Sequence, residues 1–83
     1  MKIFLSSQAN RQLNKLPCAI HNLLITEIEK IGVHPFPVLC KKLTNRAGWR
    51  IRVGDYRILY TVDNKKREVT ILSVAHRKEA YRY

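Results

Sequence analysis

The chain has 83 residues, and its 16 Lys and Arg against six Asp and Glu give a formal net charge of +10. That length holds one domain, residues 1–83, and excludes a second, while the charge implies an anionic partner, either nucleic acid or an acidic protein. No apolar run approaches the ~18 residues of a membrane span, and "MKIFLSSQANRQ" turns polar too early for a signal peptide, so the expectation is a cytoplasmic protein with no membrane partner.

In chain order, "KIFLS" reads as a short apolar strand bounded by Ser6 and Ser7, whose hydroxyls can accept a bond from an orphan N–H of the following helix. That helix is expected from about Ser7 to Leu16. Pro17 stops it and can open the next one, from Pro17 to about Ile31. Ile20, Leu23, Leu24, Ile28 and Ile31 recur there at three- and four-residue spacing, the period of a buried stripe, and Gly32 is the expected end. "VHPFP" is an extended connector, because each proline pushes its predecessor out of the α region. Cys18 and Cys40 have neither CxxC nor Cys/His ligand spacing and are read as reduced core residues, with no metal implied.

Three strands are expected in the rest: Trp49–Val53, Tyr56–Val62 and Val69–Val74, with "DNKKRE" as a charged turn before the last. Folding "GWRIRVGDYRILY" at Gly54-Asp55 pairs Val53 with Tyr56, Arg52 with Arg57 and Arg50 with Leu59. The fold class is therefore α+β, two N-terminal helices packed on a small, mainly antiparallel four-stranded sheet in the order β-α-α-β-β-β. "VTILSV", apolar on nearly every residue, suits the central strand, and Trp49–Val53 suits an edge.

Strand alternation puts Trp49, Ile51, Val53, Tyr56, Ile58 and Tyr60 on one face and Arg50, Arg52 and Arg57 on the other, turned away from the helices. Like charges directly opposite on a ladder are unfavourable by roughly 0.2 to 1 kcal/mol, so folding gives no reason to collect them. A bound polyanion does, and planar guanidinium groups that donate in pairs suit phosphate. Lys41, Lys42 and Arg46 extend the basic region, either as phosphate tethers or as ordinary exposed residues, while Lys65, Lys66 and Arg67 read as solvated turn residues. In "AHRKEAYRY", His76 and Arg77 emerge where the last strand leaves the sheet. Tyr81 either folds back toward the arginines, where nearby cations favour the phenolate and a general-base role, or packs as a terminal aromatic. His76 either transfers protons or packs; His21 and His34 read as structural or exposed. Cations and a tyrosine suffice to cleave RNA, which supplies its own 2′-hydroxyl nucleophile, so no cofactor or metal ligand is called for.

"KKLTNRAGWRIRVGDYRILYTVD" followed by "ILSVAHRKEAYRY" resembles the RelE branch of the RelE/ParE toxin superfamily, and the resemblance covers essentially the whole chain. It implies the toxin of a type II toxin–antitoxin pair, a metal-independent endoribonuclease that cuts mRNA in the ribosomal A site and is held in check by an acidic RelB-like antitoxin. By matching motif, Arg50 and Arg52 hold phosphate, Arg57 stabilises the phosphorane, Arg77 assists the leaving oxygen and Tyr81 is the base. Since arginine has a pKa above about 12, His76 is an alternative acid. The ParE branch shares the fold and poisons DNA gyrase by binding. That role, or a non-catalytic RNA-binding protein or inactive toxin homologue, is the alternative.

Overall fold

The N-terminal strand pairs with the far end of the chain. In this computed structural model, which describes residues 1–37, 40–44 and 47–76, the elements are β1 (Lys2–Leu5), α1 (Ser7–Asn14), α2 (Cys18–Val33), β2 (Lys41–Lys42), β3 (Trp49–Val53), β4 (Tyr56–Asp63) and β5 (Glu68–His76). The sheet order is β1-β5-β4-β3-β2, with β1 parallel to β5 and the other neighbours antiparallel.

The sheet has five strands where four were expected. Leu43 N–H donates to Gly48 C=O and folds Lys41–Lys42 back along β3, so the first residues of β3 are flanked on both sides instead of forming the edge. The middle place belongs to β4. β5 lies between β1 and β4, and this double flanking accounts for its nearly continuous apolar sequence.

Ser6 caps α1, its Oγ accepting from Ala9 N–H at 3.0 Å. The same hydroxyl donates to the carbonyl of Leu72 at 2.7 Å. Leu72 is the residue left over where β4 and β5 slip register, since Leu59 pairs with Ser73 and Tyr60 with Ile71. One serine thus ties the helix start to a β-bulge. Past the end of β1, Gln12 takes over the ladder, its Oε1 accepting from Val74 N–H at 2.6 Å.

α1 ends at Asn14 rather than Leu16, because Lys15 and Leu16 turn their N–H groups to Gln12 and Leu13 in a tightened last turn. α2 runs through Gly32 to Val33 instead of ending at the glycine. Gly32 is there for close approach: a Cβ at that position would lie 2.5 Å from Ile3 Cδ1. Leu13, Leu24, Ile28 and Ile31 pack with Ile51, Ile58, Tyr60, Val69, Ile71 and Val74 as the core. The buried stripe of α2 is narrower than its spacing suggested, since Ile20 is only half-buried and Leu23 is 50% exposed. Cys18 is exposed and Cys40 half-buried, so neither is the core residue expected; Cys18 opens α2 on its solvent side, and Cys40 precedes the edge strand β2. Both helices pack over β1 and β5.

Candidate nucleic-acid interface

The hairpin of β3 and β4 has the register read from its sequence: Val53 opposite Tyr56, Arg52 opposite Arg57, and Arg50 opposite Leu59. Gly54 makes the turn possible with φ +59, a value that residues with a Cβ adopt at a cost. Ile51, Ile58 and Tyr60 belong to the core, and Trp49, Val53 and Tyr56 pack against it. By alternation Arg50, Arg52 and Arg57 project from the other side of the sheet, away from both helices.

Lys41 pairs with Arg50 and joins that face, whereas Lys42 pairs with Trp49 and points to the other side. Arg46, Arg77 and Tyr81 lie outside the described residues. Arg52 is exposed and donates its Nε to Gly54 C=O at 3.1 Å, which steadies the guanidinium and leaves its terminal nitrogens for another acceptor. Arg50 and Arg57 are half-buried. Carrying the register one strand further puts Ala75 opposite Arg57 and Ser73 opposite Leu59, so Leu59, Ser73 and Ala75 form a buried floor beside the arginines. Ser73 is 4% exposed, and its Oγ has no hydrogen-bond partner among the described residues. Sequence reasoning missed it, because the bulge at Leu72 breaks the alternation that would have pointed to it.

His76 is not brought to the arginines. It pairs with Tyr56 on the helix side, the two rings meeting edge-on with centroids 5.4 Å apart at 83°. With Gln12, Lys15, Leu16 and Val74 they line a cleft of roughly 380 Å³. Tyr60 is fully buried and donates to Pro35 C=O at 2.8 Å. Burial, reinforced by the neighbouring Cys40, pushes its phenol well above the ordinary value of 10.0. A phenol so held keeps its proton. Neither described tyrosine of the hairpin, Tyr56 or Tyr60, therefore offers a base to the arginine face. Among the described residues there is no group of three or more His, Cys, Asp or Glu placed to hold a metal ion, and no helix is long and apolar enough to cross a membrane.

The family model for the ParE toxin of the parDE type II toxin–antitoxin system matches residues 3–81. The chain belongs to the RelE/ParE family of type II toxins. Solved structures of RelE place this family member on the RelE branch. A chain of the RelBE2 toxin–antitoxin complex of Mycobacterium tuberculosis is 29% identical, with 92% of this chain and 96% of that one covered and a TM-score of 0.82. A chain of the archaeal RelE–RelB complex of Pyrococcus horikoshii is 26% identical over 92% of this toxin and 93% of that chain, with a TM-score of 0.80. The isolated RelE toxin of Escherichia coli shares the fold at 19% identity, with a TM-score of 0.78 over 98% of this chain and 95% of that one. No curated protein sequence matches at a significant level.

Proposed function

We propose that this RelE-type toxin is an endoribonuclease that stops translation by cutting mRNA in the ribosomal A site. The observation that carries the reading is the collection of Arg50, Arg52 and Arg57, with Lys41, on the side of the sheet that no described helix covers. Arg52 and Arg57 stand directly opposite each other, two guanidinium groups side by side that suit a phosphate-bearing chain.

In the proposed reaction the 2′-hydroxyl of the message attacks the adjacent phosphorus, forming the 2′-O–P bond as the P–O5′ bond breaks, and leaves a 2′,3′-cyclic phosphate and a 5′-hydroxyl. Arg50, Arg52 and Lys41 hold flanking phosphates, with Arg46 as an outer tether; Lys42, on the other side of the sheet, is not assigned a phosphate. Arg57 stabilises the charge that develops on the phosphorane and acts most strongly in the transition state. Tyr81 accepts the 2′-hydroxyl proton, a role that neither Tyr56 nor the buried Tyr60 is placed to fill. Arg77 assists the departing oxygen. His76, on the helix side with Tyr56, is not assigned the acid's role. The protein acts in the cytoplasm, and its regulator is an acidic RelB-like antitoxin, the kind of partner named for the Mycobacterium and Pyrococcus complexes.

The matching family model is that of ParE, and this favours one rival, a toxin that inhibits DNA gyrase by binding. Primer extension on translated mRNA separates the two. New 5′ ends within codons, absent with Arg57→Ala, are expected. Intact message with accumulating gyrase–DNA breaks would transfer the protein to the rival mechanism.

A further inference from the structure

We infer that Ser73 is a positioning residue for Arg57: in the complex with RNA its buried Oγ accepts a hydrogen bond from the Arg57 guanidinium and holds that cation against the scissile phosphate. The inference rests on the endoribonuclease reading above and adds a residue to the same site.

The bulge of β5 decides where Ser73 points. Counting by twos from Val69 and Ile71, both core residues, would turn Ser73 inward. The extra residue, Leu72, changes the parity, so Ser73 and Ala75 come to the arginine side while Val74 returns to the core. Ser6 secures this irregularity twice, its Oγ donating to Leu72 C=O at 2.7 Å and its N–H to Ile71 C=O at 2.9 Å. Bulges recur beside active sites because they re-aim a side chain, and the side chain re-aimed here is a hydroxyl. No described part of the fold uses it. Ser73 is 4% exposed, and its Oγ is the only buried side-chain polar atom without a hydrogen-bond partner among the described residues. Such a group costs stability that an alanine in its place would not.

The register names the partner. Ser73 stands opposite Leu59 and Ala75 opposite Arg57, which makes Ser73 the diagonal neighbour of Arg57 on one face. Diagonal positions are about 7 to 8 Å apart, a gap that a long side chain spans. Arg50 is a strand further away, across Leu59, and Ala75 opposes the Arg57 stem with no more than a methyl group. Arg57 already has a contact in this structure, so its turn toward Ser73 exchanges one partner for another, and the phosphate it meets drives the exchange. A hydroxyl accepts without bringing a charge to compete with phosphate. The guanidinium has N–H donors enough to bond Ser73 and still present a parallel pair to phosphate oxygens.

The test measures single-turnover cleavage of mRNA on translating ribosomes, with the saturating rate and the half-saturating toxin concentration fitted separately. Ser73→Ala is expected to lower the saturating rate about tenfold, the scale of one hydrogen bond to a charged group, and to move half-saturation by less than about twofold. Its melting temperature is expected to stay level or rise, because an unpaired buried hydroxyl is gone. Ser73→Cys, close to serine in size but a weak acceptor, is expected to match the alanine variant, whereas Ser73→Thr, which keeps the hydroxyl, is expected to recover most of the rate. On an Arg57→Ala background, Ser73→Ala is expected to cost nothing further, since the group it positions is absent. A loss of rate that tracks a lower melting temperature would overturn the inference. So would a full additional loss on the Arg57→Ala background, which would give the hydroxyl to the RNA itself. If the native chain cuts mRNA and Ser73→Ala cuts it equally fast, the endoribonuclease reading stands and only this inference falls; if the native chain cuts none, both fall.

Discussion

Arg52 and Arg57 are opposed across β3 and β4, and the consequences for stability and function run in opposite directions. Removing one charge relieves repulsion of roughly 0.2 to 1 kcal/mol, so Arg52→Gln is expected to raise the melting temperature by a few degrees, read by calorimetry, while weakening RNA binding. Arg57→Ala is expected to lower the cleavage rate by about 100-fold or more, the scale of losing one group that stabilises developing charge. A variant that melted lower yet cut at the native rate would reverse the assignment. Tyr60 carries a different signature. Its phenol titrates higher in the folded chain than in the unfolded one, so its contribution is complete below pH 10 and is lost as pH rises above that value. The native chain is expected to lose stability relative to Tyr60→Phe by up to ~1.4 kcal/mol per pH unit there, measured by denaturation at pH 9, 10 and 11. The arginine register was legible because Gly54 fixes the turn and alternation does the rest. The burial of Tyr60 against the connector was not, since its hydrogen bond joins residues 25 positions apart.

At the level of elements, Gly32 shows where a local rule gave way to packing. Glycine ordinarily ends helices, yet here the helix continues because β1 runs so close that a side chain would strike Ile3. Gly32→Ala is therefore expected to cost about 1 to 3 kcal/mol of overpacking, outweighing the ~1 kcal/mol that alanine adds to helix propensity. Ile3→Val, which removes Cδ1, is expected to recover much of that loss, and non-additivity in a double-mutant cycle measures the contact. The helices, the hairpin and β5 were legible from periodicity and turn chemistry. β2 was not, because two lysines carry no alternation and their pairing depends on a turn closed by Leu43 and Gly48. His76 reads as part of the site in sequence, but the parity of β5 after its bulge turns it to the helices.

For the whole molecule, the net charge of +10 sets how it meets its partners. If Lys41, Arg50, Arg52 and Arg57 each neutralise one phosphate, the logarithm of RNA affinity is expected to fall against the logarithm of salt with a slope of about −3. A filter-binding series from low to physiological salt checks this, and a flat response would remove the arginine face from RNA binding. The pairing of β1 with β5 has another consequence. Lys2 finds its partner in Glu68 and Leu5 in Ile71, so the first strand made has no place to dock until the last has left the ribosome. Contacts this distant in sequence close late. The toxin fold is thus completed only after β5 has emerged, which leaves an antitoxin the whole interval of its synthesis in which to be waiting.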